Sequence, residues 1–160
     1  MNNPSGIISW QDAALILEND GVIALPTDTV YGLAAKATSK KACDRIYELK
    51  GRDFSKPLVI MSSNVANVRS LIDVWDNDIQ KLTERYWPGA LTVVFKAISG
   101  EPILSAIRGQ NTIGIRIPAQ VDLLKLLNKL NFPLAVTSAN RSGLKDCRTV
   151  AEVIEVFSQE

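Results

Sequence analysis

A chain of 160 residues with 46% hydrophobic and 22% charged residues, and only 9 Gly and 7 Pro, reads as a single domain over 1–160, long enough to bury a core and unlike a disordered polyelectrolyte. It contains no histidine, and Cys43 and Cys147 stand far apart, which excludes His-based triads, His-ligated zinc and a Cys-x-x-Cys site and leaves the cysteines as packing residues. A net charge of +1 gives the whole molecule no electrostatic case for nucleic acid, and strand-sized apolar runs behind an unremarkable N-terminus predict a cytoplasmic protein without a membrane segment.

Along the chain, Ser9 and Asp12 make an approximate capping box, and Ala13, Ala14, Ile16 and Leu17 supply an apolar stripe, so a helix is predicted over about 10–19. After Asp20-Gly21, the run Val22-Ile23-Ala24-Leu25 reads as a buried strand stopped by Pro26. Ser39 caps a second helix whose Ala42, Ile46 and Leu49 share a face, and Lys50-Gly51-Arg52 leaves its C-terminal end. Leu58–Met61 reads as a strand, Ile79–Tyr86 as part of a helix, and Leu91–Lys96 as a strand after Trp87-Pro88-Gly89. Asp73, Asp76, Asp78 and Glu84 read as a solvated helix and its approach, not as a metal site. Thr112–Ile117 alternates, with Ile113, Ile115 and Ile117 on one face and Gly114 and Arg116 on the other. A helix carrying Val121, Leu124 and Leu127, a strand Leu134–Thr137, and a terminal amphipathic helix capped by Thr149 and Glu152 complete the pattern; the last presents Val150, Val153, Ile154 and Phe157. Strands alternating with helices give an α/β domain, with the strand order left open.

Ligands of such sheets lie beyond strand ends, and the polar residues collect there. Pro26-Thr27-Asp28-Thr29-Val30-Tyr31-Gly32-Leu33 follows the first strand and reads either as a side-chain-capped turn or as a binding loop. Lys50, Arg52 and Lys56 surround one loop, within a basic stretch from Lys36 to Lys56. Arg116 sits in an otherwise apolar strand, so its guanidinium must meet a carboxylate or a bound anion, and phosphate is the anion its loop neighbourhood suggests. Thr137-Ser138-Ala139-Asn140-Arg141-Ser142-Gly143 offers hydroxyls, an amide and backbone donors in a small-residue turn. Neither phosphate-loop fingerprint occurs, and no nucleophile–base couple is evident; cations and small donors at several strand ends suit electrostatic stabilisation of phosphoryl chemistry.

Six segments in order resemble the YrdC family of threonylcarbamoyl-AMP synthases: Pro26 to Leu33, Lys50-Gly51-Arg52, Lys56-Pro57-Leu58, Trp87 to Thr92, Ile113 to Pro118, and Thr137 to Gly143. Any one is weak evidence; six in register are specific. The resemblance implies a single-domain, twisted mixed sheet flanked by helices, with a concave cationic cleft. The implied reaction joins L-threonine, bicarbonate and ATP into threonylcarbamoyl-AMP and pyrophosphate, for threonylcarbamoyladenosine modification of tRNA. Carried over residue by residue, the catalytic groups would be Lys50, Arg52, Ser138 and Asn140. ATP would meet Lys56 and Arg116 with Thr137, Ser138 and Asn140, and Thr27, Thr29 and Tyr31 would line the threonine pocket. Magnesium (Mg2+) would arrive with ATP, with no dedicated metal site and no tightly bound cofactor. The product would pass to tRNA threonylcarbamoyl-transferase proteins. Family members usually continue beyond the last helix into a cleft-closing strand, so the ending at Glu160 reads as a shortened form, and the hydrophobic surface left there predicts a homodimer. A second reading, from another class, is a non-catalytic RNA-binding module using the basic 36–56 stretch; the Ser-x-Asn turn favours the enzyme.

Overall fold

The computed structural model describes residues 6–98, 103, 106 and 110–158. In chain order its elements are α1 (Trp10–Glu18), β1 (Val22–Pro26), β2 (Tyr31–Lys36), α2 (Lys40–Lys50), β3 (Val59–Met61), α3 (Val65–Arg69), α4 (Asn77–Tyr86), β4 (Val93–Lys96), β5 (Thr112–Arg116), α5 (Val121–Lys129), β6 (Leu134–Ser138) and α6 (Val150–Phe157). The strands form one mixed six-stranded sheet in the order β1-β2-β6-β3-β5-β4, parallel only between β3 and β5.

Strand alternation feeds two cores. Leu33, Ala35, Ile60, Ile113, Ile115 and Ala135 share one core with Ala42, Ile46 and Leu49 of α2, which are buried as their spacing predicts. Ala34, Met61, Leu134 and Val136 face the other way, against Ala13, Ala14 and Leu17 of α1 and Leu123, Leu126 and Leu127 of α5. Caps set the helix starts: Ser9 and Ser39 accept from the amides of Asp12 and Ala42, and Thr149 and Glu152 complete the predicted capping box. Gly51, at φ 59°, ends α2 in the left-handed region and turns the chain into the loop of Arg52.

The structure revises several of these expectations. Tyr31–Lys36, read as loop through Leu33, is a strand second from the edge; its Gly-Leu-Ala-Ala core lacks β-branched residues because it is hemmed in, and a Cβ on Gly32 would stand 2.8 Å from Val136 Cγ1. Of the residues that mark α5 in the sequence, Leu127 is buried and Leu124 packs against the core, while Val121 is 62% exposed; Leu123 opens the i, i+3, i+4 set, with Leu126 and Leu127, that forms the buried face. On α6 the predicted stripe is only partly covered, with Val150 and Ile154 exposed and Val153 and Phe157 packed against the core. The strands begin later than predicted, at Val59 and Val93, and the short α3 was not anticipated.

Candidate active site

Two constructions meet at Ser138, where β6 ends. The first is built on Lys50, in the last turn of α2. Its side chain crosses to the turn after β6, where Nζ donates to Ser138 O at 2.5 Å, Asn140 O at 2.8 Å and Asn140 Oδ1 at 2.6 Å. An ammonium has three N–H donors, and all three are engaged. Ser138 Oγ donates to Asn140 Oδ1 at 2.8 Å, Asn140 Nδ2 donates to Leu144 O at 2.6 Å, and Ser142 N donates to Lys50 O at 2.7 Å. The Arg141 guanidinium reaches Leu49 O, so α2 and the turn are cross-tied. Lys50 is 2% exposed, and burial, helped by Arg52, lowers its pKa to about 8 against the opposing fields of Asp146 and Cys147. Beside it, Arg52 Nε and Nη2 donate to the carbonyls of Lys56 and Pro57 at 3.3 and 3.2 Å, while the Lys56 side chain is exposed.

The second construction is the four-residue loop between β1 and β2. Thr27 Oγ1 accepts from the amides of Thr29 and Val30 and donates to Val30 O at 2.6 Å, so the hydroxyl-capped turn weighed from the sequence is what forms. From β5, on the sheet face of Met61 and Val136, Arg116 reaches this loop. Its Nη2 donates to Asp28 Oδ1 at 2.6 Å, Nη1 to Thr29 Oγ1 at 3.3 Å, and Nε to Gly89 O at 2.9 Å. The paired side chains are 9% and 16% exposed. The carboxylate that Arg116 demanded is therefore Asp28. Between loop and sheet lies a cavity of about 120 Å³ lined by Thr27, Thr29, Tyr31, Arg116, Thr137 and Ser138, with an apolar wall of Val59, Met61 and Val136. Pockets for drug-sized ligands run to about 300–1,000 Å³, so this one suits a molecule no larger than a small amino acid.

The structure thus brings Thr27, Thr29, Tyr31, Arg116, Thr137 and Ser138 around one cavity, ties Lys50 to Ser138 and Asn140, and sets Arg52 beside them. It does not bring the Lys56 ammonium into either group. Asp28 and Gly89, which hold Arg116, were not singled out from sequence, although both lie in segments that carry the resemblance. The basic stretch is largely committed within the fold: Lys40 pairs with Asp44, Arg45 with Glu48, and Lys36 lies over the Phe132 ring. A larger hollow of about 1020 Å³ beside β1, α2 and Phe157 shares with the site only Leu49, whose carbonyl receives Arg141. Cys43 and Cys147 are buried, and burial pushes the Cys147 thiol up, in keeping with a packing role. Among the described residues no three Cys, Asp or Glu side chains converge as a metal cage, and no helix is long and apolar enough to cross a membrane.

The family model described as telomere recombination, which joins Sua5, YciO and YrdC, matches residues 15–160. The chain belongs to the Sua5/YciO/YrdC family. It is 39% identical over 144 residues to a threonylcarbamoyl-AMP synthase of Bacillus subtilis, which covers 89% of this chain, and spans 40% of that protein's length. To the enzyme of the same name from an Enterobacter species it is 33% identical over 165 residues, covering 98% of this chain and 83% of that one. A crystal structure of Sua5 from Pyrococcus abyssi complexed with L-threonine superposes with a TM-score of 0.86 at 34% identity, over 91% of this chain and 43% of that one. The mixed sheet flanked by helices is the architecture of this Sua5/YciO/YrdC fold.

Proposed function

We infer that the chain carries the threonylcarbamoyl-AMP synthase activity for which its relatives are named, making an intermediate for tRNA modification in the cytoplasm. The observation that carries this reading is the cavity of about 120 Å³, walled by hydroxyls, four aliphatic side chains and one guanidinium, opening at the Ser138 turn that Lys50 ties down. A relative in the same family is described with L-threonine bound. In this reading L-threonine occupies the cavity, its methyl against Val59, Met61 and Val136 and its carboxylate toward Arg116. The nucleotide is too large for the cavity and lies outside it, its phosphates toward Arg52 and Lys56 and the donors of the Thr137–Asn140 turn. Arg116 therefore serves the amino acid and not the phosphates.

The chemistry is an addition followed by a displacement. Bicarbonate loses hydroxide to give carbon dioxide, the threonine amine adds to that carbon and loses a proton, and hydroxide and proton leave as water, giving a carbamate. A carbamate oxygen then attacks the α-phosphorus of ATP, the bond to the bridging α,β-oxygen breaks, and pyrophosphate leaves with that electron pair. Both reactants are anions, so what the chain supplies is alignment and positive charge on fixed groups. Lys50 acts through the turn it holds, because its donors are already engaged. Magnesium would be held by ATP's phosphates and water, as it commonly prefers.

The test is pyrophosphate release by purified protein with ATP, bicarbonate and L-threonine, omitting each in turn. Release that requires all three is the expected result. Release without threonine, or none in the presence of all three, overturns the reading.

A further inference from the structure

The Arg116 guanidinium is the charged group that faces the cavity, yet no element of the sheet holds it there. Its contacts come from loops: Gly89 O receives Nε, Thr29 Oγ1 receives Nη1, and the Asp28 carboxylate receives Nη2 at the shortest distance of the three, 2.6 Å. Neutral contacts at 2.9 and 3.3 Å are weaker than a charge-assisted one, and a long arginine side chain has ample rotamer freedom with which to leave them. Asp28 is thus the main restraint on the guanidinium.

Asp28 is not needed for the turn in which it lies. The hydrogen bonds that close that loop run through Thr27 Oγ1, to the amides of Thr29 and Val30 and the carbonyl of Val30. Among the described residues, the hydrogen-bond partner of the Asp28 carboxylate is Arg116. An aspartate that does not make its own turn, whose side chain is 16% exposed, and that pairs across 88 residues of sequence has a role at its partner.

We propose that Asp28 is a positioning residue of the amino-acid site: its carboxylate fixes the Arg116 guanidinium toward the cavity and cancels most of its charge, so that a substrate carboxylate meets an oriented donor in a pocket near neutrality. This rests on the reading of the cavity given above. A zwitterionic amino acid suits such a pocket better than a polyphosphate does, because the Asp28 charge repels further negative charge at short range while Arg116 retains N–H donors beyond those used by its three partners.

Two readouts separate the parts. The Arg116 Nε–H resonance, assigned by its loss in Arg116→Lys, reports the orientation of the guanidinium without any substrate. It is expected to be sharp in the native chain and broadened or lost in Asp28→Asn, with partial recovery in Asp28→Glu. By calorimetry, Asp28→Asn is expected to weaken L-threonine binding roughly 10- to 100-fold while ATP affinity stays within about twofold, and to have no further effect in an Arg116→Gln background. A sharp, unchanged Arg116 resonance in a folded Asp28→Asn protein overturns the proposal. So does an equal loss of threonine affinity in both backgrounds, or an equal loss for ATP. Should Asp28→Asn fail to fold, Asp28→Ser replaces it in both readouts. A native chain that binds no L-threonine overturns the amino-acid reading of the cavity, while the resonance still decides whether Asp28 sets Arg116.

Discussion

Replacing Lys50 by methionine keeps the unbranched stem, one atom shorter, and removes its ammonium, which isolates what three hydrogen bonds contribute. Of the three acceptors, Asn140 Oδ1 keeps Ser138 Oγ at 2.8 Å, while the carbonyls of Ser138 and Asn140 lose the Nζ donor that joined them to α2. Each orphaned buried carbonyl costs about 1–3 kcal/mol, and relief from burying an ammonium offsets part of that. A net loss of about 2–4 kcal/mol follows, or roughly 5–15 °C in Tm for a chain of this size. The assays are thermal unfolding by circular dichroism and pyrophosphate release on the same preparation. Activity should fall together with Tm, and Lys50→Arg should restore little of either, because a planar guanidinium cannot reach three acceptors arranged around a point. A Lys50→Met protein with Tm within about 2 °C of the native chain but no activity would refute the clamp and make Lys50 a direct ligand of substrate.

The same lysine sets an alkaline limb. Its pKa of about 8 in the fold lies below the 10.5 of an ordinary lysine, so between these values the unfolded chain binds more protons and this group's contribution to stability rises with pH. Activity should run the other way, declining above pH 8 as the neutral amine gives up one of three donors; a pH–rate profile shows the limb, and its persistence in Lys50→Met would assign it elsewhere. Gly32→Val should abolish L-threonine binding in calorimetry, since a Cβ at this cavity-lining position already meets Val136 Cγ1 at 2.8 Å and Thr137 O at 3.3 Å. Thr149→Ala should lower stability by about 1 kcal/mol in chemical denaturation, through loss of the cap on α6, and leave turnover unchanged.

What could be read from the sequence was local. Caps at Ser9, Ser39 and Thr149 announce helix starts within four residues, and the isoleucines of β5 declare a buried face by their alternation. β2 was hidden because tight neighbours select glycine and alanine, which carry little strand signal. On α5 four of the nine residues are leucines, in two adjacent pairs, so the residues that mark the helix do not fix which face is buried. At the site, the residue types were legible and their partners were not. Lys50 meets Asn140 across 90 residues and Arg116 meets Asp28 across 88, contacts that only the sheet order creates. That Arg116 required a carboxylate or anion followed from its strand; which of the two it was did not.

The way each cation is satisfied divides the site. Lys50 and Arg52 are hydrogen-bonded by neutral oxygens, the carbonyls of Ser138, Asn140, Lys56 and Pro57 and the amide of Asn140, and the carboxylates near them, Asp146 and Asp53, act through the field and not through a direct bond, so less of their charge is cancelled. Arg116 is held by a carboxylate, and its charge is largely cancelled. At about 4 Å, one uncompensated charge near a protein surface is worth about 4 kcal/mol at an effective dielectric of 20, enough to decide where a polyanion settles. The positive potential therefore lies along the C-terminal end of α2 and the turn after β6, and the cavity under the β1–β2 loop is close to neutral while still offering guanidinium donors. In the proposed function a triphosphate would be drawn to the first and a zwitterion to the second, and Ser138 borders both. A carbamate formed on an amine in the cavity would then emerge toward the phosphates at Ser138, which is the approach that attack on an α-phosphorus requires.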